Sequence, residues 1–115
     1  MARRSTLRQV FQRRLKDARR RAKLSQKVLG IQAGMDQFSA SPRVNRYELG
    51  VYEPDLDTMG RLAKVLGVPP AFLIADDEHL ARAILAVAKA PSAKRAELVR
   101  WLEDQVSGVG ERIRI

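Results

Sequence analysis

The spacing of apolar residues constrains this chain most. They recur at intervals of three and four along nearly the whole length, and only the last few residues, ERIRI, alternate in polarity. That period belongs to amphipathic helices packed on a shared core, so an all-α fold is expected. Gly and Pro cut the pattern into short pieces. Thr6 with Gln9 reads as a capping box opening a first helix to about Lys23, with Leu7, Val10, Phe11, Leu15, Ala18 and Ala22 on its apolar stripe. Ser25 reads as the N-cap of a second helix to Ala33, stopped by Gly34. Val28, Leu29 and Ala33 should face inward there, with Gly30 allowing another helix to approach closely.

Residues 35–40 read as irregular. Ser41 as N-cap and Pro42 at the first helical position then open a short third helix that ends at Gly50. A fourth helix over 56–66 should turn Leu56, Met59, Leu62, Ala63 and Leu66 inward before Gly67. Pro69 and Pro70 begin a short fifth helix through Ile74. A helix from Asp77 to about Lys89 starts with acidic residues that suit the positive end of its dipole, and Ala90-Pro91 break it. Ser92 is expected to cap a last helix to Val106. The expected layout is an arm (1–6), a helical domain (7–75), a helical pair (76–107) and a tail (108–115).

Charge adds a second constraint. The chain of 115 residues carries 22 Lys+Arg against 13 Asp+Glu, a net charge of +9. Residues 1–24 hold ten cations and only Asp17 as an acid, while residues 25–115 hold twelve of each sign, so the whole excess sits in the first fifth. A polyanion partner is implied, nucleic acid before acidic membrane. With no cysteine, disulfides and thiol chemistry are excluded. No apolar run reaches the roughly 18 residues needed for a membrane span. A transit peptide is Arg-rich too, but only Ser5 precedes residue 25 and the apolar stripe continues into the next element, which argues against one.

The order of short helices, Ser25-Gln26, Gly34, Glu48-Leu49-Gly50, Pro54 and the LAKVLGV segment at 62–68 resembles the phage-repressor/Cro-type (XRE) helix-turn-helix family over residues 7–75. The resemblance implies a five-helix lambda-repressor-like domain, here followed by a C-terminal helical hairpin. It implies that Ser25, Gln26 and Lys27 at the start of the second helix meet phosphate, and that Arg19 pairs with Glu48. The helix carrying Ser41, Arg43, Asn45 and Arg46 would lie in the major groove. Fourteen residues separate Gly34 from Glu48, more than the family's usual interval, so Ser39 is an alternative start and a further candidate base contact.

The chemistry of these side chains agrees with that assignment. A helix fits the major groove, Arg can bond guanine in bidentate fashion, and Asn can do the same with adenine. Arg3, Arg4 and the basic first helix would grip phosphate without sequence preference. A stripe of Leu80, Ile84, Val87, Leu98, Trp101 and Leu102 has little domain left to pack on and is expected to form a homodimer interface.

The resulting expectation is a dimeric repressor on double-stranded DNA, cytoplasmic and nucleoid-associated, bacterial or phage-encoded, with no cofactor, no metal and no membrane partner. Its control would come from a protein partner such as an anti-repressor, from concentration or from proteolysis, since no second sensor domain is visible. An antitoxin that binds a toxin and represses its own operon is the alternative. A non-specific basic binder using residues 1–24 alone is a third. No phosphate loop, His pair or nucleophile-base set suggests an enzyme.

Overall fold

Short capped helices fold onto one another in the order the apolar period dictates. The computed structural model describes residues 5–108. Among them are six α-helices, one 3-10 turn and no strand: α1 (Leu7–Arg21), α2 (Gln26–Gln32), α3 (Ala40–Leu49), α4 (Leu56–Leu66), the 3-10 turn (Pro70–Ile74), α5 (Glu78–Lys89) and α6 (Ser92–Gln105). The fold is all-α, and the expected fifth short helix is the 3-10 turn. No described helix is long and apolar enough to cross a membrane. Arg3, Arg4 and the ERIRI tail lie outside the described residues.

Side chains close the helix starts. Gln9 N–H donates to Thr6 Oγ1 at 3.1 Å, and Thr6 N–H donates to Gln9 Oε1 at 2.9 Å, so both halves of the capping box form. Ser25 caps α2 by accepting from Val28 N–H at 3.0 Å. Asp55 and Asp77 do the same for α4 and α5. Hydrogen bonds from Thr58, side chain and then backbone, hold the Asp55 carboxyl below its usual pKa. Gly34, Gly50 and Gly67 each take a positive φ where a helix stops, a conformation a side chain would strain.

One core joins α1 to α4, the 3-10 turn and Ala81 of α5. Val10, Leu15, Leu29, Val44, Leu62 and Leu73 are fully buried within or beside it. Arg61 ties α2 to α4: its Nε donates to the Ala33 carbonyl at 3.0 Å and its Nη2 to Thr58 Oγ1 at 3.0 Å, capping the end of α2. Nothing in the local sequence pattern marks Arg61 for this role.

Several expectations change. Leu7, Val28 and Leu56 are exposed rather than inward. Each sits in the first turn of its helix. Ser41 is not the N-cap of α3, nor is Pro42 its first residue. The helix starts at Ala40 with Ser39 before it, as in the alternative start. Pro42 is third in the helix, where its missing N–H still has no intrahelical acceptor to lose. Ser92 does not cap α6 but is its first residue, after Pro91. Instead Arg95 reaches from α6 to the end of α5, donating to the carbonyls of Val87, Ala88 and Ala90 at 3.2, 2.9 and 3.3 Å.

Candidate nucleic-acid interface

The site begins with how α2 and α3 are brought together. Gly30 makes the contact possible, because a Cβ there would lie 2.7 Å from Ala40 Cβ and 2.9 Å from Ala40 Cα. Between the helices, Gly34 turns the chain at φ 94° and Met35 drops into the core. Asp36 pins the next four residues. Its carbonyl accepts from the N–H of Ser39 at 3.1 Å and of Ala40 at 2.9 Å. Its carboxylate accepts from Phe38 N–H at 3.0 Å. The extra residues of the lengthened turn therefore form an ordered lead into α3, and they leave the Phe38 ring 82% exposed.

A polar chain then fixes the pitch of α3. Arg19 Nε and Nη2 donate to Glu48 Oε2 and Oε1 at 2.6 and 2.9 Å, and its Nη1 donates to the Leu24 carbonyl at 3.0 Å. The two side chains are only 13% and 3% exposed, so this is a buried bidentate pair and not a surface one. Removing one partner of such a pair costs about 3–5 kcal/mol, because the other charge is stranded. The bond to Glu48 raises the pKa of the Arg19 guanidinium against the opposing effect of burial. Gln26 Nε2 donates to Glu48 Oε1 and to Asn45 Oδ1, both at 3.1 Å. Its amide protons thus point into the α2–α3 seam. The backbone N–H groups of Gln26 and Lys27, in the first turn of α2, remain as the outward donors there.

The exposed face of α3 carries Pro42, Asn45, Arg46 and Leu49, spaced at three and four residues. Ser39, Ser41 and Arg43 flank it and are half-buried. Val44 and Tyr47 are buried on the opposite face. The Ser39 hydroxyl donates to the Asp36 carbonyl at 3.3 Å. Arg43 Nη2 donates to the Tyr47 hydroxyl at 3.1 Å, and the Arg46 guanidinium lies 5.9 Å from the Tyr52 ring centroid. These tethers are worth about 0.5–1.5 kcal/mol each. They hold the guanidiniums in place and release them readily to a stronger acceptor. Asn45 keeps its Nδ2 donor and a second lone pair on Oδ1, which is what a bidentate contact needs. Sequence reading missed Pro42 and Leu49 as members of this face, since a proline at a helix start reads as a boundary signal.

The basic excess of α1 is less available than its count suggests. Arg8 pairs with Glu53. Arg14 is buried, with Nε donating to the Ala75 carbonyl at 2.7 Å, Nη2 3.4 Å from Glu78, and its guanidinium 5.2 Å from the Phe72 ring centroid. With Arg19 on Glu48, three of the N-terminal cations already have carboxylate partners. At the other end of the molecule, Leu80, Leu98, Trp101 and Leu102 are exposed and Ile84 and Val87 half-buried. Among them, an almost wholly apolar groove runs past Pro69, Leu80, Ile84 and Val87.

Comparison with known proteins places this arrangement. The sequence profile of the helix-turn-helix family matches residues 15–73, from the middle of α1 into the 3-10 turn. A search of curated proteins finds no match. The crystal structure of the transcriptional regulator BswR is similar at a TM-score of 0.76 and 43% sequence identity, over 84% of this chain and 96% of that one. The chain belongs to the XRE-type helix-turn-helix family and is a DNA-binding transcriptional regulator.

Proposed function

We propose that the chain is a cytoplasmic, dimeric repressor that reads a pseudo-palindromic operator with α3. The observation that carries the reading is the row of Asn45 and Arg46, exposed on a helix whose pitch is held by the Arg19–Glu48–Gln26 chain. Arg46 is the bidentate reader of guanine and Asn45 of adenine, with Arg43 swinging off Tyr47 to a neighbouring base. Pro42 offers an apolar contact to a thymine methyl group. Ser39 and Ser41 line the entry of the helix into the groove. Phosphates are met by the backbone N–H groups of Gln26 and Lys27, by the side chains of Ser25 and Lys27, and by Arg3 and Arg4 of the arm.

The dimer rests on α5 and α6. No side chain of α6 is buried, and a 14-residue helix held at one edge is marginal in water. A second copy covering Leu80, Ile84, Val87, Leu98, Trp101 and Leu102 accounts for both. Two reading helices would then stand roughly one DNA turn, 34 Å, apart. Repression follows by occlusion of the bound duplex. The exposed Trp101 also suits a second reading, in which α6 binds a toxin and the chain is its antitoxin.

Binding of Arg46→Ala to a palindromic duplex selected from a random pool, and to a scrambled duplex of equal length, tests the assignment. The selected site is expected to lose roughly tenfold or more, matching about 1–3 kcal/mol for a bidentate contact. The scrambled duplex should lose less than about threefold. Equal losses would make Arg46 a phosphate contact and remove it from the reading set.

A further inference from the structure

On the side of α1 that faces α5 lies a cavity of about 470 Å³ to which no residue of α2 or α3 contributes. That volume is within the usual range for small-molecule sites. Its walls follow from helical spacing. Positions 13/14, 17/18 and 21/22 share one face of α1, and Glu78, Ala81, Arg82, Leu85 and Lys89 share one face of α5. Both helices pack on the 3-10 turn, which leaves the groove open between them.

Its chemistry is two-sided. Leu66, Val68, Phe72 and Leu85 give it an apolar floor that is buried or half-buried. Arg13, Arg14, Arg21, Arg82 and Lys89 stand against Asp17 and Glu78. Arg14 and Glu78 face each other, which leaves four cations and one carboxylate around the rim. Among the described residues, none of Arg13, Arg21, Arg82 and Lys89 takes part in an ion pair. Like charges gathered around an apolar floor repel one another unless an anion lies between them. DNA is a poor match, because a phosphate backbone brings no apolar surface to cover Leu66, Val68 and Leu85.

We propose that this groove binds a small organic anion with an apolar body, its head on Arg21, Arg82 and Lys89 and its body over Phe72 and Leu85. α5 carries Leu80, Ile84 and Val87 on another face, so an occupant would touch the same helix that the dimer uses. This gives the regulator a small-molecule input within the DNA-binding fold, and it holds whether or not α3 reads bases as proposed.

The probe is octanoate, titrated into the 15N-labelled full chain, with 1-octanol and inorganic phosphate in parallel. Octanoate is expected to shift the amides of Ala18, Arg21, Ala81, Arg82 and Leu85 saturably. Octanol and phosphate should each bind roughly tenfold or more weakly, since each supplies only half of the match. The double variant Arg21→Ala/Arg82→Ala alters two exposed side chains and should weaken octanoate by about the same factor. Arg100→Ala, beside Trp101 and outside the groove, should leave it unchanged. The proposal is overturned if no saturable shift occurs, if shifts centre on the Trp101 face, if octanol or phosphate matches octanoate, or if the double variant binds as the parent does.

Discussion

At the scale of residues, α3, the proposed reading helix, is held by two contacts of different kinds. The Arg19–Glu48 pair is electrostatic and buried, whereas Gly30 against Ala40 is a matter of space. Replacing an interior helical Gly by Ala ordinarily gains about 1 kcal/mol. Here the added methyl would meet the backbone of α3, and overpacking of that sort costs about 1–3 kcal/mol. Gly30→Ala should therefore lower stability by up to about 2 kcal/mol in urea unfolding, and a gain would show that α2 and α3 are less tightly apposed than this contact requires. Gly30 was legible in the sequence, being an interior glycine among Val28, Leu29 and Ile31. Arg14 was not. Its partners, Ala75 and Glu78, lie 61 and 64 residues away, and nothing local separates it from the cations around it.

At the scale of elements, the helices could be read because period and caps agree: Thr6, Ser25 and Asp77 all sit where a cap belongs. The start of α3 was misplaced because Ser41-Pro42 is a valid local start signal. Asp36 overrides it from outside the helix by accepting from both Ser39 and Ala40. No periodicity records such a turn, so Pro42 went unnoticed on the outward face. Among the described residues, the apolar positions Leu98, Trp101 and Leu102 of α6 stay exposed, and under the proposed reading a second copy covers them. Leu80→Asp and Leu102→Asp each put a carboxylate into the proposed interface at an exposed side chain outside the domain core. Both are expected to give a monomer at micromolar concentration in sedimentation, with most helicity kept. A dimer that persists in both variants would place the interface elsewhere.

At the scale of the whole molecule, the net charge of +9 overstates the grip on DNA. If every unit met a phosphate, log K would fall against log salt with a slope of about −8 per protomer. Arg8, Arg14 and Arg19 are paired within the chain, and Arg13 and Arg21 face α5. The slope expected is about −3 to −5 per protomer, read from binding between low and moderate salt. A value near −8 would return the α1 cations to the DNA surface. In the proposed reading, affinity for any duplex comes from a few cations, and preference for one duplex from the outward face of α3. Selection of bound sequences from a random duplex pool tests that division most directly. An enriched pseudo-palindrome, with half-sites about one helical turn apart, is the predicted result. A bound pool with no sequence preference would contradict the account.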